Sequence, residues 1–224
     1  MVSGCSKPEF NYPDSKIWAH RVNDIASAKE KSSKFVGMEV DIMFSEQQNE
    51  LYVAHDNIDL SKKLLLQDWF TYVENPSAKY YWMDLKNLNS GNAQKVADKI
   101  NALKKQYDID DKIFVESNDI KALKIIKHND IRTILWTENI QWNHLDTATW
   151  IDHTRNQITE LKPDAISGEA SMFGLLTSEF PEQNIHIWQT PAEYNDANAE
   201  LTRKLCSHNS VKVVLVDYDN PIKY

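Results

Sequence analysis

Between residues 16 and 216 the chain alternates, almost without interruption, between short apolar runs rich in β-branched and aromatic residues and longer runs of helical period. The expected strands are 16–20, 36–42, 80–85, 112–115, 131–136, 165–167, 185–188 and 211–216. The expected helical segments are 24–33, 64–73, one beginning near 93, 120–127, 142–161, 172–178 and 194–207. In the third of these Ala93, Val96, Ala97, Ile100 and Leu103 share a face, which is the 3.6-residue period of an amphipathic helix. A strand that is always followed by a helix cannot pair with its successor through a tight hairpin. The pairing must be parallel, with each helix crossing over the sheet. Eight such units in 224 residues suggest an α/β fold of one domain, a closed (β/α)₈ TIM barrel, with an open doubly wound sheet as the alternative. The stretch 44–61 breaks the pattern and is expected to form a loop with a short returning strand over 51–54.

Domain 16–224 is preceded by a polar segment, residues 1–15, that contains Pro8 and Pro13 and reads as a tether. Val2-Ser3-Gly4-Cys5 matches the tail of a bacterial lipoprotein signal, so the expectation is a membrane tether through Cys5 and residence at the cell envelope. With Cys206 as the only other cysteine, a disulfide framework is excluded as the source of stability. The formal net charge is −8 and no basic cluster with interleaved aromatics is present, which argues against a nucleic-acid partner. An anionic small molecule would then need a local positive site, such as a metal ion.

In a barrel of this kind chemistry gathers where strands end and loops begin. The first strand ends in His20-Arg21, the second carries Glu39-Val40-Asp41, and the returning strand delivers His55-Asp56. The third ends in Asp84-Leu85-Lys86 and the fourth in Glu116-Ser117. Residues two apart in a strand face the same side, so Glu39 points with Asp41, and Asp84 with Lys86. Taken singly, His20-Arg21 would read as a solvated pair, Glu39 and Asp41 as a polar strand face salt-bridged to Lys or Arg, His55-Asp56 as a turn, and Asp84 with Lys86 as a loop ion pair. Together they bring carboxylates from adjacent strands into a low-dielectric interior, where a divalent cation would relieve their repulsion. An all-oxygen donor set selects Mg²⁺ or Ca²⁺ over softer metals.

The order His-Arg, Glu-x-Asp, His-Asp and acidic-x-Lys resembles the glycerophosphodiester phosphodiesterase superfamily of PLC-like barrels. Asp84-Leu85-Lys86 is similar to the third strand of its sphingomyelinase D (phospholipase D) members, and Trp18-Ala19-His20 with Asn23 is similar to its menorin-type branch. Ile187-Trp188 resembles the family's penultimate-strand tryptophan, and Val216-Asp217-Tyr218 with Pro221 its terminal Thr-Asp-x-Pro. Three departures accompany these matches. Val22 stands where the family has a glycine after His-Arg, Gln48-Asn49 where it has Asp-Gly, and Val216 where it has threonine.

The resemblance implies a metal held by Glu39, Asp41 and Asp84, with His20 and His55 as base and acid on either side of a phosphodiester. Arg21 and Lys86 would neutralise the phosphoryl oxygens, Trp188 would wall the substrate pocket, and Glu116 is a candidate for a further ligand. The expected activity is phosphoric diester hydrolysis or lyase chemistry on a glycerophosphodiester or lysophospholipid-like small molecule, placing the chain in lipid metabolism. Two alternatives stand beside it: a non-catalytic barrel binding a phosphorylated or lipid ligand, and a glycoside hydrolase using Glu39 with Glu116. The other tryptophans, Trp136, Trp142 and Trp150, are expected to pack helices on the barrel. His128, His144, His153, His186 and His208 are read as surface or structural.

Overall fold

The computed structural model describes residues 10–189 and 194–218. Cys5 and Pro221 lie outside these residues. The strands are β1 (Ile17–Ala19), β2 (Gly37–Ser45), β3 (Glu50–Val53), β4 (Tyr80–Leu85), β5 (Ile113–Ser117), β6 (Arg132–Trp136), β7 (Ala165–Glu169), β8 (Ile185–Trp188) and β9 (Val211–Val216). The helices are α1 (Ile25–Lys34), α2 (Asn57–Leu60), α3 (Leu66–Phe70), α4 (Ala93–Tyr107), α5 (Ile120–His128), α6 (Thr147–Leu161), α7 (Phe173–Glu179) and α8 (Asp196–Ser207). Neighbouring strands run β1-β9-β8-β7-β6-β5-β4-β2, and β1 also pairs in parallel with β2, which closes the ring. All eight barrel strands are parallel. The exception is β3, which returns antiparallel on β2 as a hairpin outside the ring. This is the (β/α)₈ barrel, and closure settles it against the open sheet.

Closure divides the apolar side chains into two cores, because alternate residues of each strand face opposite sides. One core lies between strands and helices and takes up the predicted face of α4, with Ala93, Val96, Ala97, Ile100 and Leu103 buried. The other fills the lumen with Trp18, Trp82, Phe114, Ile134, Ala165, Val213 and Leu215. It is unusually aromatic, and Gly37 makes room for it. A Cβ at that position would stand 2.1 Å from Trp18 Cδ2 and 2.4 Å from Cε2.

The lumen is stoppered at its N-terminal end. Phe10 and Tyr12, which the sequence assigns to the tether, pack into this core instead. Phe10 meets Phe114 edge-on at 4.7 Å, and the Arg132 guanidinium lies 4.7 Å from the Phe10 ring. The Tyr12 hydroxyl lies 3.0 Å from His186 Nε2, so the structural role expected of His186 places it inside the lumen on β8. Burial pushes His186 down to about 3.

The helices start at the opposite end of the barrel, and side-chain caps fix those starts. Asp24 accepts from the Ser27 N–H, Asp119 from Ala122, Asp146 from Thr149 and Asn195 from Asn198. The expected helix 142–161 therefore begins only at Thr147, where Asp146 caps it; residues 137–146 are a loop.

Two outcomes follow for stability. Gly37→Ala should cost about 3 kcal/mol in urea unfolding, and Trp18→Leu in the same chain should cost less than in the wild type, giving a measurable coupling energy. The second concerns pH. His186 stays neutral in the folded protein, while in the unfolded chain it takes up a proton near pH 6.5. Stability held by this group is therefore lost as pH falls from about 6.5 toward 3, by at most ~1.4 kcal/mol per pH unit. Unfolding curves of His186→Phe should lack that component of the slope.

Candidate active site

Strand register brings the acidic residues together. Asp41 on β2 is level with Asp84 on β4, which is level with Glu116 on β5. Glu39 lies two residues earlier on β2 and so faces the same side. Among the described residues Glu39, Asp41 and Asp84 offer carboxylate oxygens that all lie within 4.8 Å of one another. Local contacts aim each of them. The Arg21 backbone N–H donates to Glu39 Oε2 at 2.7 Å. Asn23 clasps Asp41 twice, its Nδ2 donating to Oδ2 at 2.5 Å and its Oδ1 accepting the Asp41 N–H at 2.9 Å.

The loop that supplies these contacts turns without glycine. Arg21 itself takes the left-handed conformation at φ 53°, and Val22 is fully buried, with its carbonyl accepting from Trp69 Nε1 at 2.9 Å. The β-branched residue is thus a core residue, and the unusual backbone geometry sits one position earlier than the family pattern suggests. In the β2–β3 hairpin Asn49 likewise turns at φ 53°, standing in for the glycine of the family's Asp-Gly.

Burial and crowding govern the charges. Burial raises Glu39 well above the usual carboxylate range, and the neighbouring Asp41 and Asp84 push it further. Burial also raises Asp84, with Lys86 holding it back and Asp41 adding to the rise. The Lys86 Nζ stands 2.7 Å from Asp41 Oδ1 and 2.5 Å from Asp84 Oδ2. Burial would lower the Lys86 pKa, but Asp84 and Asp41 outweigh it and raise the pKa above the ordinary lysine value. Lys86 is therefore a firm ammonium. Glu116 is raised by burial and then by Asp84; it accepts hydrogen bonds from Ser167 Oγ and, at 3.0 Å, from Trp82 Nε1. Three carboxylates facing one ammonium make a site that attracts a cation, and their hard oxygens fit Mg²⁺ or Ca²⁺.

His20 continues β1 to the rim of this cluster. Its Nε2 is 3.9 Å from Glu39 Oε2, and its Nδ1 is 3.1 Å from Asp217 Oδ1, just beyond β9. His55 follows β3 and is exposed. All nine residues singled out from the sequence (His20, Arg21, Glu39, Asp41, His55, Asp84, Lys86, Glu116 and Trp188) border one cavity of ≈ 330 Å³. Trp136 and Asn118 border it too.

Sequence reasoning misplaced two of the tryptophans. Trp136 ends β6 in phase with the inward Ile134 and so faces the cavity, while Trp142, on the following loop, is 57% exposed with its ring 5.7 Å from Trp188. Trp150 does pack a helix, meeting Phe180 at 6.0 Å. Asp217 was passed over as a partner for His20, although its phase with the inward-facing Leu215 was available to find it.

No family model matches the chain, and no curated protein does. Solved structures do. A phosphodiesterase from Oleispira antarctica, solved with its product sn-glycerol-3-phosphate, superposes with a TM-score of 0.64 at 14% identity over 94% of each chain. A glycerophosphodiester phosphodiesterase from Parabacteroides distasonis gives 0.64 at 14%, covering 92% of this chain and 94% of its own. The glycerol uptake operon antiterminator regulatory protein from Listeria monocytogenes gives 0.60 at 10%, covering 97% and 98%. At such identities, and with a regulatory protein among the matches, what these likenesses establish is the architecture: the chain has the barrel fold of the glycerophosphodiester phosphodiesterases.

Proposed function

We propose that this chain is a metal-dependent phosphodiesterase acting on a glycerophosphodiester or lysophospholipid-like small molecule. The observation that carries the reading is the convergence of Glu39, Asp41 and Asp84 within 4.8 Å at the strand ends, beside His20. Similarity to phosphodiesterases of the same fold, one of them holding sn-glycerol-3-phosphate, supports the same class of substrate.

In this reading Glu39, Asp41 and Asp84 hold Mg²⁺ or Ca²⁺, which supplies positive charge at the phosphoryl oxygens. Lys86 and the Arg21 guanidinium border the same cavity and add to that charge. His20 acts as the base that takes the proton of the attacking hydroxyl, and Asp217, with Oδ1 3.1 Å from Nδ1, would stabilise the imidazolium that results. His55, on the β3 side of the opening, delivers a proton to the departing oxygen. Trp188 walls the pocket, and Glu116, tied to Trp82 and Ser167, supports Asp84 from the adjacent strand. Lipidation of Cys5 would tether the enzyme at the bacterial envelope.

Two measurements test the proposal. A panel containing glycerophosphocholine and lysophosphatidylcholine should be turned over with Mg²⁺ or Ca²⁺ and not with EDTA, and His20→Ala should lower kcat by ~10²–10⁴-fold. Turnover that survives both treatments would sink the mechanism. Separately, Lys86→Met leaves two carboxylates facing each other and should cost about 2 kcal/mol of stability in EDTA, a figure discounted for the partial exposure of Lys86. A divalent cation should restore most of that loss in thermal unfolding; a deficit indifferent to metal would show that no cation enters the cluster.

A further inference from the structure

Five large apolar side chains are prominently exposed among the described residues, and their distribution is uneven. Trp142 is 57% exposed, Tyr194 55%, Tyr72 44%, Ile25 38% and Leu145 37%. Ile25 opens α1 after β1, Trp142 and Leu145 lie between β6 and α6, and Tyr194 lies between β8 and α8. Each of these four follows the C-terminal end of a barrel strand, so they stand at the end of the barrel where the cavity opens. Only Tyr72, after α3, is at the far end. Trp142 and Leu145 follow β6 and Tyr194 follows β8, across the ring from the acidic cluster on β2 and β4, while Ile25 follows β1, which neighbours β2.

Trp142 and Tyr194 each rest on contacts beneath them. The loop bearing Trp142 is pinned by Asn139, whose Oδ1 accepts the N–H groups of Gln141 at 2.9 Å and Trp142 at 3.2 Å. Asn139 Nδ2 in turn reaches Ser171 Oγ at 3.1 Å and Glu169 Oε2 at 3.4 Å, and both Asn139 and Glu169 are buried. The Trp142 ring leans on Trp188, and Tyr194 meets Tyr218 edge-on at 5.7 Å.

We infer that this rim is an interfacial surface that settles the cavity mouth on a neutral, zwitterionic phospholipid layer. Indole and phenol rings suit the boundary between head groups and hydrocarbon, having an apolar body and a polar tip. Four separated side chains are too few to bury the ~1,200 Å² or more of a stable protein interface, which argues against a second copy of the chain. Charge points the same way. The exposed acids Asp24, Glu138, Asp146 and Asp196 share this end, and the chain carries −8 overall, so a like face or an anionic bilayer would be repelled. The inference deepens the phosphodiesterase proposal by placing the substrate in a membrane, but the binding it describes does not require turnover.

The test is co-sedimentation of the full chain, produced without lipid on Cys5, with phosphatidylcholine vesicles and with vesicles containing phosphatidylglycerol. The expected results are binding to the neutral vesicles, weaker binding as the anionic lipid is added at low salt, and a loss of roughly tenfold or more in partitioning for Trp142→Ala with Tyr194→Ala. Tyr72→Ala, at the opposite end, should bind like the wild type. Circular dichroism of each variant guards against misfolding. No sedimentation with neutral vesicles, an undiminished double variant, or a concentration-dependent dimer that the same double variant dissolves would overturn the proposal. Hydrolysis of water-soluble glycerophosphocholine is read in parallel, so failure of the surface and failure of the active site are seen apart.

Discussion

Everything at the open end of this barrel answers to one electrostatic problem: carboxylates on neighbouring strands are held level with each other and largely out of water. Parallel pairing of β2, β4 and β5 puts Asp41, Asp84 and Glu116 abreast, and the pleat adds Glu39. Like charges so placed would force the strands apart or take up protons. The structure meets the repulsion with Lys86 between Asp41 and Asp84, with the N–H of Arg21 on Glu39, and with the amide of Asn23 on Asp41. What these partners leave uncompensated is negative charge, the feature on which the proposed cation site rests. The site is destabilising by construction, and the two apolar cores beneath and around it make that tolerable.

Much of this could be read from the chain alone, and the reasons are local. Periodicity found the strands, three of them at their observed limits (80–85, 185–188 and 211–216), because each is a short apolar run bounded by polar residues. It found the core-facing side of α4 for the same reason. The acidic cluster was legible because a parallel barrel collects strand-end residues at one end, whatever the details of pairing.

What stayed hidden depends on tertiary contacts that no local pattern encodes. Phe10 and Tyr12 follow a proline-containing polar stretch and look like linker, yet an open aromatic lumen offers them burial. The helical run read from 142 includes Trp142, but Asp146 caps that helix later and leaves the indole on the loop. Val22 stands at the family's glycine position, and only the fold shows that Arg21 takes the left-handed conformation while Val22 joins the core. The phase of Asp217 with Leu215 puts it on the inward face, but its pairing with His20, 197 positions earlier in sequence, exists only because the ring closes. Closure is also why the solved barrels align with this chain at 14% identity, since it depends on pattern and volume more than on particular residues.

The aromatic stopper has a kinetic consequence. With Trp18, Trp82, Phe114 and His186 filling the lumen, and Phe10 and Tyr12 beneath them, the described residues leave no passage along the barrel axis from the cavity to the N-terminal end. Any molecule that reaches the carboxylates enters by the mouth, and whatever it becomes must depart the same way. Arrival and departure are therefore mutually exclusive, so a spent ligand lingering in the cavity delays the next one in proportion to its own residence time.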